Sequence, residues 1–227
     1  CKKSDKCPPW KMSAEEITHD KIKKTINYKN AVLRVYDNPI FYFPKFFHPD
    51  PTVKRQSGFL APAFTDSNTG GHLSIPYFKV ISQSQDLTFK PRFYSSSSFL
   101  INTEYRAVTK KTSHIVDSGF KNKESNSERN NNSQSHFFLR SKFNDLKNTL
   151  FEESEIELKV EQVSNDLYLK MNDIDSPLIE NTSTLNSYIN FSGVNDDLYF
   201  QGNLEVFEDT TKSDKDKYEY IFPNIKI

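Results

Sequence analysis

Residues 86–94 read Asp86-Leu87-Thr88-Phe89-Lys90-Pro91-Arg92-Phe93-Tyr94. On an extended chain Leu87, Phe89 and Phe93 fall on one side. Asp86, Thr88, Lys90 and Arg92 fall on the other. A period of two marks a strand with one apolar and one polar face. The pattern recurs. In 99–108, Phe99, Ile101 and Tyr105 oppose Asn102, Glu104 and Arg106. In 154–162, Ile156, Leu158 and Val160 oppose Glu155, Glu157, Lys159 and Glu161. In 197–208, Leu198, Phe200, Leu204 and Val206 oppose Gln201, Asn203 and Glu205. Weaker candidates are 72–81, 113–120, 135–144, 183–192 and 217–227. Segments of about ten residues suit tilted transmembrane β-strands, which need ~9–11.

Composition agrees with an all-β chain. The 227 residues include 19 Phe and 11 Tyr but only 6 Gly. Mean hydropathy is −0.71, and no apolar run approaches the ~20 residues of a membrane helix. Thirty basic residues balance 30 acidic ones, which makes no case for a nucleic-acid partner. The chain begins at Cys1 without an initiator Met and reads as an internal fragment ahead of a mature secreted protein or a lipoprotein acylated at Cys1. Cys1 and Cys7 are too far apart for a CxxC metal or redox motif. In an oxidising compartment they can pair with each other or with cysteines elsewhere, and the sequence leaves that choice open.

Three regions are expected. Residues 1–47 carry short alternating segments up to Ile40-Phe41-Tyr42-Phe43, and read as the end of a small β-sandwich. Residues 48–69 hold Pro49, Pro51, Pro62 and Gly58. Proline fixes φ and deletes a ladder donor, so this stretch reads as a stiff connector. Residues 70–227 read as successive strands. The loop 121–135 is polar throughout. The stretch 165–181 is ambiguous, because Leu167, Leu169 and Met171 alternate but also suit a helical turn.

The alternation fits two architectures. A soluble sandwich has one solvated face. A large barrel has a wet interior and a lipid-facing exterior, and the many full charges on the polar face suit that interior. The residues alone leave both open.

A longer stretch carries a resemblance. Pro39-Ile40-Phe41-Tyr42-Phe43-Pro44-Lys45-Phe46-Phe47-His48-Pro49-Asp50-Pro51-Thr52-Val53-Lys54-Arg55-Gln56-Ser57-Gly58-Phe59-Leu60 resembles a motif of the LptD (OstA/Imp) family of lipopolysaccharide-assembly proteins. Ile75-Pro76-Tyr77-Phe78 is similar to that family's first barrel strand. Asp216-Lys217-Tyr218-Glu219-Tyr220-Ile221-Phe222-Pro223 resembles an alphaproteobacterial barrel segment. The resemblance implies the C-terminal end of a periplasmic β-jelly-roll followed by the first strands of a large, incomplete outer-membrane β-barrel. It implies lipopolysaccharide as cargo, a lipoprotein plug like LptE, a periplasmic bridge like LptA, and contact with outer-membrane lipid. The cysteines depart from the family's disulfide scheme, because only Cys1 and Cys7 are present.

The resemblance also assigns roles. Pro76, in the first barrel strand, and Pro91, in the second, match the prolines of the family's lateral gate. On the residues alone each could equally mark a bulge or strand end. Phe41, Tyr42, Phe43, Phe46 and Phe47 either line a route for acyl chains or pack a core. His48, Pro49, Asp50 and Pro51 read as a rigid junction. His19, His72, His114 and His136 are scattered, and no H-E-x-x-H, serine triad or phosphate-binding glycine loop is present. The chain therefore reads as a non-enzyme with no cofactor. The competing functions are a porin-like passive channel and a soluble β-rich binding or adhesion module.

Overall fold

The computed structural model describes residues 10–35, 37–65, 71–95, 98–122, 133–146, 150–212 and 215–226. Cys1 and Cys7 lie outside them. The chain divides into two compact units between Gln56 and Ser57. Strand pairings in both are antiparallel. The fold is all-β, as expected.

The first unit is one sheet. Strands β1 (Trp10–Ser13) and β2 (Glu16–Asp20) lie end to end along one side of β3 (Thr25–Val35). The Glu15 N–H donates to the Lys29 carbonyl at 3.0 Å and makes the two nearly continuous. Strand β4 (Asn38–Pro49) covers the other side of β3. The β2–β3 turn is fixed by Asp20, whose Oδ1 accepts from the N–H groups of Ile22 (3.0 Å) and Lys23 (2.9 Å). Asn30 sits mid-strand with φ 50°, a conformation that asparagine tolerates better than most residues. The pleat changes phase beside it, which brings Phe43 and Phe46, three residues apart, onto one face at 5.6 Å.

The second unit is a meander. Its elements are β5 (Gly58–Phe59), β6 (Ala63–Thr65), β7 (His72–Ser74), β8 (Tyr77–Ser82), β9 (Gln85–Tyr94), β10 (Phe99–Val108), β11 (Thr112–Lys121) and β12 (Gln134–Asn144). They continue through β13 (Glu153–Val163), α1 (Tyr168–Met171), β14 (Thr184–Asn195), β15 (Leu198–Asp209) and β16 (Tyr218–Lys226). From β9 to β16 each strand pairs with the next. The sheet begins earlier than the sequence suggests. β5 pairs with β8 and β6 with β7, so Gly58–Phe59 and Ala63–Thr65, inside the expected connector 48–69, are strand. The prolines there shorten the strand segments without preventing pairing. The ambiguous stretch at 165–181 contains the short helix α1.

Burial in this sheet is inverted. Asp86, Asn102, Glu104, Asp117, Glu157, Lys159 and Glu161 are buried, while Phe89, Phe93, Phe99, Phe120, Phe137, Leu198 and Leu204 are exposed. Asp117 keeps 4% of its surface and Phe93 keeps 52%. An ordinary soluble sheet buries the opposite face. The enclosed charges are paired, as low-dielectric burial demands. Arg106 Nε donates to Asp86 Oδ1 at 2.8 Å, and Lys90 Nζ to Glu104 Oε2 at 3.1 Å. Glu157 receives Arg140 Nε at 2.6 Å and Lys142 Nζ at 3.0 Å. Lys159 and Glu161 pair at 2.8 Å.

An apolar island interrupts the enclosed polar face. Tyr168 and Leu169 of α1, with Ile174 and Leu178 beyond it, pack onto Tyr94, Leu100, Phe138 and Leu185 of the sheet. Gly119 is needed nearby, since a Cβ there would meet His136 Nδ1 at 2.7 Å and Asn102 Oδ1 at 2.5 Å.

Candidate functional site

The two prolines singled out from sequence fall on adjacent seams. Ser74 pairs with Arg92 and Tyr77 with Phe89 in one unbroken register, so β7 and β8 are a single strand interrupted at Ile75–Pro76. At the interruption the Ile75 N–H donates to the Pro91 carbonyl at 3.2 Å. In an antiparallel hydrogen-bonded pair each residue both gives and receives. Pro91 has no N–H and cannot answer. The next seam repeats the defect: the Leu60 N–H donates to the Pro76 carbonyl at 2.9 Å, and Pro76 cannot return the bond. Each lost donor removes roughly 0.5–1.5 kcal/mol of net stabilisation. The seam between β5–β6 and β7–β8 also slips by one residue, between Phe59↔Tyr77 and Ala63↔Ser74. Pro76 therefore lies in the break between β7 and β8, the strand-end alternative weighed from sequence, whereas Pro91 lies inside β9.

The aromatic run of the first unit separates into two faces. Ring contacts run from Phe41 to Phe43 (6.3 Å), Phe43 to Phe46 (5.6 Å), Phe46 to Tyr28 (5.7 Å) and Tyr28 to His48 (5.4 Å). These rings form a stripe along β3 and β4. Phe47 alternates with Phe46 along β4, and both line a groove of about 510 Å³ with Thr18, Asn27, Tyr28 and Lys45. Phe41, Tyr42 and Phe47 are each more than half exposed.

The residues His48 to Pro51 form a hydrogen-bonded corner. His48 Nδ1 lies 2.6 Å from the Pro49 carbonyl, which can only accept, so Nδ1 carries the proton. Nε2 then accepts from the Tyr28 hydroxyl at 2.8 Å. Asp50 Oδ2 meets His19 Nε2 at 2.5 Å, and its Oδ1 accepts the Thr52 N–H at 2.8 Å. The Thr52 N–H, then its side chain and His19, hold the Asp50 carboxyl below the usual range. Every polar atom of His48 is engaged with protein, and no cluster of metal-binding side chains occurs among the described residues. Pro51 is exposed.

Sequence reading missed two things here. The strands β5 and β6 were hidden by Pro62 between them. The packing of 168–178 onto the sheet was hidden by conflicting periodicity, although apolar residues within an otherwise polar loop were a usable signal.

No family model matches the chain. "LPS-assembly protein LptD" of Pseudoalteromonas translucida (strain TAC 125) is 30% identical over 209 residues, 91% of this chain. This chain is related in sequence to LptD. The LptD of Shewanella sp. (strain ANA-3) is 40% identical over 105 residues, 44% of the chain. That of Legionella pneumophila (strain Paris) is 32% identical over 121 residues, 53% of the chain. The chain spans 25% of the Pseudoalteromonas LptD and 14% of each of the other two. The alphaproteobacterial affinity expected from 216–223 finds no support in these LptD matches.

Proposed function

We propose that the chain is part of an LptD-family protein that moves lipopolysaccharide into the outer membrane. The observation that carries this reading is the inverted burial of β9–β15, in a chain alike to LptD over 91% of its length. Residues exposed on the apolar face, such as Phe93 and Phe137, face hydrocarbon. The paired charges of the opposite face line an aqueous interior, as in wide transmembrane barrels. The first unit is the end of a periplasmic jelly-roll, and the stripe Phe41, Phe43, Phe46 meets acyl chains. The seams carrying Pro76 and Pro91 form the loosened side of a lateral exit, because open or weakened pairing is costly in lipid and is kept where a function needs it. A lipoprotein like LptE fills the interior, and a periplasmic bridge like LptA delivers the cargo.

The test is conditional depletion of the intact protein in its host, following newly labelled lipopolysaccharide. Its arrival in the outer leaflet should stop. Normal arrival after depletion overturns the reading. A passive porin-like channel would share the charged interior, but it gives no role to the aromatic stripe or the proline seams. Solute-driven swelling of liposomes at porin-like rates, with export intact after depletion, would favour the channel.

A further inference from the structure

Cations on the enclosed face of the second unit are of two kinds. Arg106, Lys90, Arg140, Lys142 and Lys159 each meet a carboxylate. Arg92 of β9 meets neutral oxygens instead. Its Nη1 donates to the backbone carbonyls of Asn172 (2.7 Å) and Asp173 (3.1 Å). A second cation converges on the same residue, since Lys121 Nζ of β11 donates to Asn172 Oδ1 at 2.8 Å. The register explains the convergence. Arg92 pairs with Leu100 and Leu100 with Lys121, so the two cations flank Leu100 in one row across three strands. Two like charges held close repel, most of all where water is scarce. Carbonyls carry only partial charge and leave much of that field standing.

Two buried polar atoms adjoin these cations and have no hydrogen-bond partner: His72 Nδ1 and the Tyr94 hydroxyl. His72 keeps 6% of its surface and Tyr94 7%. They face one another across β7 and β9, with ring centroids 5.1 Å apart. Lys121 Nζ lies 4.6 Å from the centre of the Tyr94 ring. Side chains buried this deeply are nearly always satisfied, and an exception calls for an ion, a water or a chemical role. The groups gathered here are a guanidinium, an ammonium, a hydroxyl and an imidazole. Donors dominate, so the missing partner is rich in acceptors and negatively charged. A carboxylate has two oxygens and is used up by the fork of one arginine. A phosphomonoester has three terminal oxygens, enough for arginine, lysine and hydroxyl together.

We propose that Arg92, Lys121, Tyr94 and His72 form a phosphomonoester site on the enclosed face, held shut in this conformation by the oxygens of Asn172 and Asp173. Those oxygens occupy the places that phosphate oxygens take, and the ligand enters by displacing them. The Arg92–Asp173 contact is the exposed one of the pair and gives way first. The site rests on the proposed function only in taking this face as an aqueous interior that a headgroup can enter.

Isothermal titration of the intact protein in detergent, at fixed ionic strength, tests the site with inorganic phosphate as the probe. Saturable binding is expected. Arg92→Gln should weaken it about tenfold or more. Arg140→Gln should leave it unchanged, because that guanidinium already serves Glu157. Asn172→Ala removes a competing oxygen and should tighten it. If Arg92→Gln fails to fold, Tyr94→Phe deletes only the unpartnered hydroxyl and should weaken binding roughly threefold. Competition then separates two sources of the same chemistry. Displacement of phosphate by a phosphorylated glycolipid, and not by its dephosphorylated form, assigns a lipid headgroup to the site. No displacement by either assigns the free ion. Absence of saturable binding overturns the site, and so does equal binding by the Arg92 and Arg140 variants. A protein that binds no phosphate yet is needed for export loses the site and keeps its proposed function. One that binds phosphate while export survives its depletion does the reverse.

Discussion

Ile75 and Pro91 face one another across the β7–β8 and β9 seam, and only one of them can donate. The Ile75 N–H reaches the Pro91 carbonyl at 3.2 Å, and Pro91 has nothing to return. The same relation holds one seam earlier between Leu60 and Pro76. A backbone defect placed twice, on neighbouring lines, sets this edge of the sheet apart from the regular ladder beyond it.

Restoring the donors should strengthen those lines. Pro76→Val with Pro91→Val in the intact protein should add roughly 0.5–1.5 kcal/mol per recovered bond. Heat-modifiable gel mobility should show the folded form persisting to higher temperature. In the export reading, lipopolysaccharide should also reach the surface more slowly. A double variant with unchanged melting and unchanged export would show that neither proline weakens a seam.

The enclosed face makes a sharp demand at one glycine. Gly119→Ala would place a methyl 2.5 Å from Asn102 Oδ1 and 2.7 Å from His136 Nδ1. The His136 ring cannot give way easily. It stacks on Phe138 at 4.6 Å and packs on Tyr168 at 5.5 Å. Overpacking of this kind costs about 1–3 kcal/mol. Gly58→Ala meets nothing within 4 Å and should be silent. The comparison is the unfolding midpoint of the two variants, and equal midpoints would refute the packing described here.

Much of this was readable from sequence, for a physical reason. Strand periodicity is a property of the backbone alone, so Phe99, Ile101 and Tyr105 announce their shared face before any packing is known. What periodicity cannot supply is which face is enclosed. That depends on curvature and on loops that fold back, and both architectures considered at the outset give the same alternation. The strands β5 and β6 were obscured because proline was read as a breaker of pairing. At Pro62 it produces only a slip in register. The packing of 168–178 onto the sheet was obscured because 165–181 mixes periods. The buried residues there include Tyr168 and Leu169, adjacent on α1, followed by Ile174 and Leu178 four residues apart in irregular chain. The His136–Gly119 contact joins two strands through one side chain and leaves no trace in either segment.

The junction corner should respond to acid. Asp50 is held below the usual carboxylate range chiefly by the Thr52 N–H. A group with a lowered folded pKa contributes stability above its unfolded value, ~3.9 for Asp, and loses it as pH falls through the folded one. The contact with His19 Nε2 at 2.5 Å should therefore hold at neutral pH and fail in acid. Protease sensitivity near 50–56 should rise below about pH 4, and Asp50→Asn should show that sensitivity at pH 7. An Asp50→Asn protein as resistant as the unaltered one at pH 7 would remove the role assigned to the corner.

The burial inversion itself can be read directly along β13. Ile156, Leu158 and Val160 share one face, and Glu155, Glu157, Lys159 and Glu161 share the other. The second face is sealed by Arg140 and Lys142 at 2.6 and 3.0 Å from Glu157. Single cysteines carrying a spin label should respond oppositely to a lipid-soluble and a water-soluble relaxer. Positions 156, 158 and 160 should respond to molecular oxygen in the bilayer. Positions 155 and 157 should respond to a nickel chelate in the aqueous interior. A soluble sandwich makes the opposite demand, because it must hide its apolar face from any solvent. Positions 156, 158 and 160 shielded from oxygen, with 155 and 157 open to the chelate, would therefore place β13 in a soluble sandwich, and the membrane reading of the whole sheet would fall with it.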